Sequence, residues 1–129
     1  MALLVPSVGE AEMLTRILNG TDKLKIHLYT NNQTPAQTDV VTNYTEVATG
    51  GYAAIALSST WTIGGTPTEA DYPTAVTFNF SSGPVTVYGY YVTNNSGTIL
   101  MWAEKFSDGP YNIPNGGGSI QITPKIQLV

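Results

Sequence analysis

After Gly20 the apolar residues of this chain stop recurring at every third or fourth position and begin to alternate with polar ones. Leu24, Ile26 and Leu28 interleave with Lys25, His27 and Tyr29, a period of two that suits a strand with one covered face. The change of period divides one domain into two stretches. Residues 1–22 form an arm with a short helix, and residues 23–129 form an all-β body.

Upstream of the switch, Ser7-Val8-Gly9-Glu10 has the spacing of a capping box, which predicts a helix start. Glu10 and Glu12 suit the positive end of the helix dipole, and Met13, Leu14, Ile17 and Leu18 form an apolar stripe. Asn19-Gly20 supplies a C-cap able to take positive φ. Such a helix, about 10–12 residues long, needs a surface to lie on. Ahead of it, Ala2-Leu3-Leu4-Val5 is an apolar arm that either tucks back as an edge strand or grips another chain.

Downstream, turn residues punctuate about eight strands. Lys23–Thr30 is followed by a long polar loop, Asn31–Asn43, then Tyr44–Ala48, Tyr52–Leu57 and Ser58–Ile63. A second polar loop, Thr66–Thr74, leads to Ala75–Phe80, Val85–Thr93 and Thr98–Phe106. Asn94-Asn95-Ser96-Gly97 joins the last two as a hairpin. A further loop, Ser107–Gly118, precedes Ser119–Val129, where Pro124 demands an edge or a bulge. Connections of such unequal length predict a jelly-roll-like β-sandwich with one short N-terminal helix. On Val85–Thr93 both faces carry apolar residues, so the second face needs a cover: a partner chain or the helix.

Composition narrows the function. Charged residues make up 11% of the chain, against about 25% in ordinary domains. Either Thr, Ser and Asn solvate the surface, or much of it is covered by partners. The net charge of −4 and scattered basic residues argue against nucleic acid. No apolar run is long enough to span a membrane, and the first residues lack the basic region of a secretory signal. Without cysteine there is neither disulfide nor thiolate metal site.

Catalytic constellations are equally sparse. His27, the single histidine, lies between Lys25 and Tyr29 and reads as a solvent-side residue. Glu46, Glu69, Asp71, Glu104 and Asp108 are the acids that paired-carboxylate chemistry would draw on. Glu104 falls on the Leu100/Trp102 face of its strand and reads as a strand-end acid. Glu69-Ala70-Asp71 is a weak approach to a calcium site, and the glycine pairs lack a phosphate-loop lysine. Trp61, Trp102, Tyr88, Tyr90 and Tyr91 either stack sugars or fill the core, the core reading being the stronger. No enzyme activity, cofactor or metal is expected.

An apolar arm, a short helix and a Cys-free, Thr/Asn/Gly-rich β-body resemble the small structural proteins of tailed bacteriophages. The resemblance is carried by Leu3-Leu4-Val5-Pro6-Ser7-Val8-Gly9-Glu10, Gly50-Gly51-Tyr52, Val87-Tyr88-Gly89-Tyr90-Tyr91-Val92-Thr93, Met101-Trp102-Ala103-Glu104 and Ile122-Thr123-Pro124. It is one of pattern over the whole chain. Within that class the size is similar to capsid decoration (cement) proteins. The resemblance implies a virion location, a homo-oligomer such as a trimer, contact with the major capsid protein or another virion protein, and no catalysis. The alternative is a carbohydrate- or receptor-binding module of a phage fibre or tail. Leu3, Leu4, Val5, Tyr88 and Tyr90 are the expected oligomer or capsid contacts.

Overall fold

The computed structural model describes residues 3–128; Met1 and Ala2 of the expected arm and Val129 of the expected last strand lie outside the described residues. The helix α1 spans Ser7–Leu18, within the expected length. Its start differs from the capping-box reading. Pro6 is the N-cap, and its carbonyl accepts from the N–H groups of Gly9 (2.9 Å) and Glu10 (3.0 Å). Ser7 is already helical, and no side chain caps the helix. Only half of the apolar stripe is covered. Leu14 and Leu18 are buried and α1 packs on β3 (Thr62–Gly64), while Met13 and Ile17 face outward. The helix end also differs: Asn19 keeps φ at −101°. Its side-chain amide accepts from Trp61 N–H at 2.7 Å and donates to Trp61 C=O at 3.1 Å, which anchors the helix to the sandwich.

The remaining strands are β1 (Lys25–Tyr29), β2 (Ile55–Ala56), β4 (Glu69–Asp71), β5 (Val76–Phe80), β6 (Val85–Val87), β7 (Gly89–Thr93), β8 (Leu100–Lys105), β9 (Tyr111–Ile113), β10 (Gly118–Ile122) and β11 (Lys125–Gln127). Their pairing is nested. β7 pairs with β8, β6 with β9, β5 with β10 and β4 with β11, all antiparallel. This first-with-last order is that of a jelly roll, so the expected all-β sandwich with one short helix is the fold found. β1 and β2 extend the sheet beyond β7, and β3 extends it beyond β4.

Two long expected strands break where the chain turns from one ladder into the next. Val85–Thr93 splits at Tyr88 into β6 and β7, and Ser119–Val129 splits at Thr123-Pro124 into β10 and β11. Pro124 has no N–H to give a ladder, and it is fully buried at the break. Two short strands, β4 and β9, lie within the loops expected at Thr66–Thr74 and Ser107–Gly118. Tyr44–Ala48 makes only an isolated bridge, Tyr29 opposite Glu46.

β7 sits between β1 and β8, and all five of its residues are buried. On the inner face Tyr90 and Val92 join Ile26, Leu28, Leu57, Phe78 and Val87 in the main core. Each large side chain buried there contributes about 1.5–3 kcal/mol. On the outer face Tyr91 packs with Tyr29 and Tyr44, flanked by Val41, Tyr88, Leu100 and Ala103. The second face of β7 is therefore covered by the chain's own polar loop, through Val41 and Tyr44, rather than by a partner or by the helix.

A register shift between Val92 and Thr93 leaves Met101 unpaired in β8. Such a bulge moves neighbouring side chains to opposite faces. Leu100 accordingly joins the tyrosine cluster while Trp102 packs on the main core, so the expected shared Leu100/Trp102 face does not form.

Candidate functional site

Successive tyrosines of β7 carry two different polar sites to its two faces. On the outer face His27 is buried, not solvent-side as expected, at 7% exposure. Register alignment with Tyr91 brings the rings parallel, 4.7 Å apart. His27 Nδ1 lies 2.6 Å from Glu46 Oε2, and Nε2 lies 2.8 Å from Thr93 Oγ1. Glu46 Oε2 also accepts from the Tyr52 hydroxyl at 2.7 Å. That hydroxyl in turn accepts from Leu28 N–H at 3.0 Å. Burial, followed by the Glu46 hydrogen bond, pushes the Tyr52 hydroxyl far above its usual pKa, and burial does the same for Tyr91.

An acid, an imidazole and a hydroxyl in a row resemble a nucleophilic relay, but the hydroxyl is sealed inside the fold. Thr93 Oγ1 lies 2.8 Å from His27 Nε2 and 2.9 Å from Asn94 C=O, so the backbone carbonyl competes for its proton. Thr93 is wholly buried, which leaves a substrate carbonyl no approach. The cluster ties β1, β7 and the returning loop together. A cleft of about 390 Å³ above it is lined by Lys25, Ala54, Asn95 and Ser96 among others.

The polar loop that closes this face is itself braced. Asp39 Oδ2 accepts from Tyr44 O–H at 2.7 Å, Ala36 N–H at 3.0 Å and Gln33 Nε2 at 3.1 Å. These bonds, the Tyr44 one foremost, hold the Asp39 carboxyl below its ordinary pKa.

On the inner face the Tyr90 hydroxyl donates to Glu104 Oε2 at 2.8 Å. Burial, with the Glu104 bond second, raises the Tyr90 pKa well above the ordinary tyrosine value. Here the carboxylate is exposed and opens onto a cleft of about 520 Å³. Phe106 and Tyr111 form one wall with ring centroids 4.8 Å apart, and Gln121, Lys125 and Gln127 line the opposite strands. Lys125 is committed to Glu69 (3.1 Å) and Asp71 (3.7 Å), which raise its pKa. Trp102 Nε1, on the same face of β8 as Glu104, is buried without an acceptor.

The expected contact residues scatter. Leu3 and Leu4 stand out at 92% and 87% exposure. Val5 is partly covered and lies over Gly9. Tyr88 is half-buried beside the outer tyrosine cluster, and Tyr90 is buried in the chain's own core. The corner at Tyr88 separates these two, although their spacing would share one face in a regular strand. Of the expected aromatic platform, Trp61, Tyr90 and Tyr91 are core residues. Of that platform only Tyr90 lines the cleft, where Phe106 and Tyr111 join it. Their only sequence signal is that they bracket the turn Asp108-Gly109-Pro110.

Among the described residues no group of three His, Cys, Asp or Glu could hold a metal, and no helix is long and apolar enough to cross a membrane. Comparison with protein-family models, with curated proteins and with solved structures returns no match.

Proposed function

We propose that this chain is a non-enzymatic structural protein that assembles with other proteins through its N-terminal arm, and that the assembly is a virion shell which it decorates and stabilises. The observation that carries the reading is the exposure of Leu3 and Leu4 at 92% and 87%, continued by Val8, Met13 and Ile17 on α1. Aliphatic side chains this exposed gain about 1.5–3 kcal/mol each when covered. The neighbouring Ile99 and Met101 at the β7–β8 hairpin are exposed as well, at 59% and 37%. The cluster at His27 supports the same reading, since its hydroxyl, Thr93, is wholly buried and its bonds tie β1, β7 and the returning loop together.

The assembly is a cyclic homo-oligomer, a trimer in the simplest case, seated on the major capsid protein or another virion protein. Light scattering of the full-length protein should give a multiple of the 13.8 kDa chain mass. Deleting residues 1–6 should weaken that oligomer, or its binding to purified shells, while the far-UV spectrum stays β-dominated. A monomer that neither the deletion nor added shells affects would sink the proposal.

A further inference from the structure

We infer that the cleft between β8, β9, β10 and β11 is a binding site for a neutral glycan, with one pyranose ring seated against Phe106 and Tyr111. This rests on the cleft alone and is independent of the assembly proposal.

β7–β8 and β5–β10 belong to separate sheets, so the seam between them is a recess rather than a continuous ladder. Its volume, about 520 Å³, lies within the range of small-molecule sites, roughly 300–1,000 Å³. The lining divides into an aromatic wall and a polar rim. Phe106 and Tyr111 are both partly exposed, and their rings are tilted by 36°. Such a wall gives the C–H face of a sugar ring aromatic surface to pack on. Glu104 stands on β8 just before Phe106, and Gln121, Thr123, Lys125 and Gln127 line the facing strands, so that the lining supplies both donors and acceptors. A polyhydroxylated ligand needs both kinds. A purely apolar or purely charged one does not.

Glu104 is oriented for this role. Tyr90 holds its Oε2 from below, which leaves Oε1 to accept from ligand hydroxyls. A hydrogen bond to a carboxylate is roughly twice as strong as a neutral one. Charge then selects the class of glycan. The Lys125 ammonium is already offset by Glu69 and Asp71, so the uncompensated charge facing the cleft is the Glu104 carboxylate. Uronic or sulfated sugars are repelled, whereas neutral sugars are not.

The test is titration of the full-length protein with cellohexaose, maltohexaose and chitohexaose, with an oligo-uronate as the charged comparison, followed by amide NMR shifts. The expected result is saturable binding of at least one neutral hexaose. Its shifts should centre on Phe106, Tyr111, Gln121 and Gln127, with no binding of the oligo-uronate. Tyr111→Leu, which removes the π-face and keeps bulk, and Glu104→Gln should each weaken binding about tenfold. Should Tyr111→Leu fail to fold, Gln127→Ala at an exposed strand position replaces it, with a smaller loss expected. Deleting residues 1–6 should leave the affinity unchanged. The inference is overturned by no saturable shift with any neutral hexaose at about 10 mM. It is equally overturned by shifts centred elsewhere, by affinity indifferent to these variants, or by tighter binding of the oligo-uronate.

Discussion

The two faces of β7 solve the same burial problem with different chemistry. The inner face uses aliphatic and aromatic side chains drawn from many strands, and its polar pair, Tyr90 and Glu104, sits at a rim open to solvent. The outer face has no second sheet to lie against. It is closed by a loop, and the cover is a cluster of tyrosines with a part-buried His27–Glu46–Tyr52 network. A tyrosine suits that place because its ring fills space while its hydroxyl satisfies a loop's polar groups. Tyr29 shows this directly: it stacks edge-on to Tyr44 and donates to Gln33 C=O at 3.1 Å. A polar loop can therefore act as core, provided its carboxylates meet donors.

If the outer cluster is a second core, truncating it must cost as much as truncating the first. Leu28→Ala on the inner face is expected to destabilise by about 2–5 kcal/mol and Tyr29→Ala on the outer face by about 3–5 kcal/mol. Urea unfolding compares them; a loss below about 1 kcal/mol for Tyr29→Ala would reduce the outer cluster to surface decoration. Gly89 lies directly across from Tyr29, and a Cβ there would sit 2.5 Å from the Tyr29 hydroxyl and closer still to Glu104 C=O. The ring covers the glycine, a pairing that stabilises a strand glycine against its neighbour.

Alkaline titration sharpens the comparison next. Burial pushes the Tyr29 hydroxyl up to about 12, helped by the Asp39 and Glu104 charges, and raises Tyr44, Tyr52, Tyr90 and Tyr91 further. A folded pKa above the unfolded value near 10 means that the folded state holds protons the unfolded state releases. Stability is then fully present below pH 10 and falls as pH rises through the folded values. Absorbance at about 295 nm should show these tyrosinates appearing together with unfolding rather than in an independent step. Tyrosinates forming near pH 10 in a folded protein would contradict the burial of both faces.

A smaller effect separates the two carboxylates. Glu46→Gln disturbs a network whose imidazole and Tyr52 hydroxyl are inside, and is expected to cost about 1–3 kcal/mol. Glu104→Gln at the open rim should cost less than about 1 kcal/mol, because water replaces the lost bond. Equal losses by thermal unfolding would mean that the faces do not differ in solvent access. The smallest expected change is Trp102→Phe. It removes a buried N–H that lacks an acceptor and keeps an aromatic ring, so stability should hold within about 1 kcal/mol or rise slightly.

These differences were legible in the sequence to unequal degrees. The switch of period at Leu24, the helix before it and the Asn94–Gly97 hairpin are local signals, and each is found where it was expected. So is the interruption at Pro124, for proline acts on its own residue. β4 and β9 were not legible, since three residues with polar neighbours carry no periodicity. The bulge at Met101 was hidden because apolar residues surround it on both sides. His27 looked exposed because its neighbours alternate with the core residues, and the loop that returns over it is 19 positions away at Glu46. Tertiary return of a polar loop leaves no mark in local pattern. The same reason concealed the aromatic cleft, whose walls come from five strands.

The nesting of the ladders has a kinetic consequence. The β7–β8 hairpin closes the shortest loop, with Asn94 Oδ1 accepting from Thr98 N–H at 2.8 Å and Ile99 N–H at 3.0 Å. Each outer ladder, β6–β9, then β5–β10, then β4–β11, joins ends that the one inside it has already brought near. Closing β4 on β11 in an otherwise open chain would carry the loop entropy of every residue between Asp71 and Lys125, but after the inner ladders form only the increment remains. Folding should therefore start at the Asn94 turn and proceed outward like a closing zip, on the millisecond-to-second scale of non-local β-proteins. Substitutions that weaken this turn should slow refolding, whereas those in β4 or β11 should mainly speed unfolding. Stopped-flow measurements on Asn94→Ala and Ile126→Val would expose the order, and the reverse pattern would exclude it.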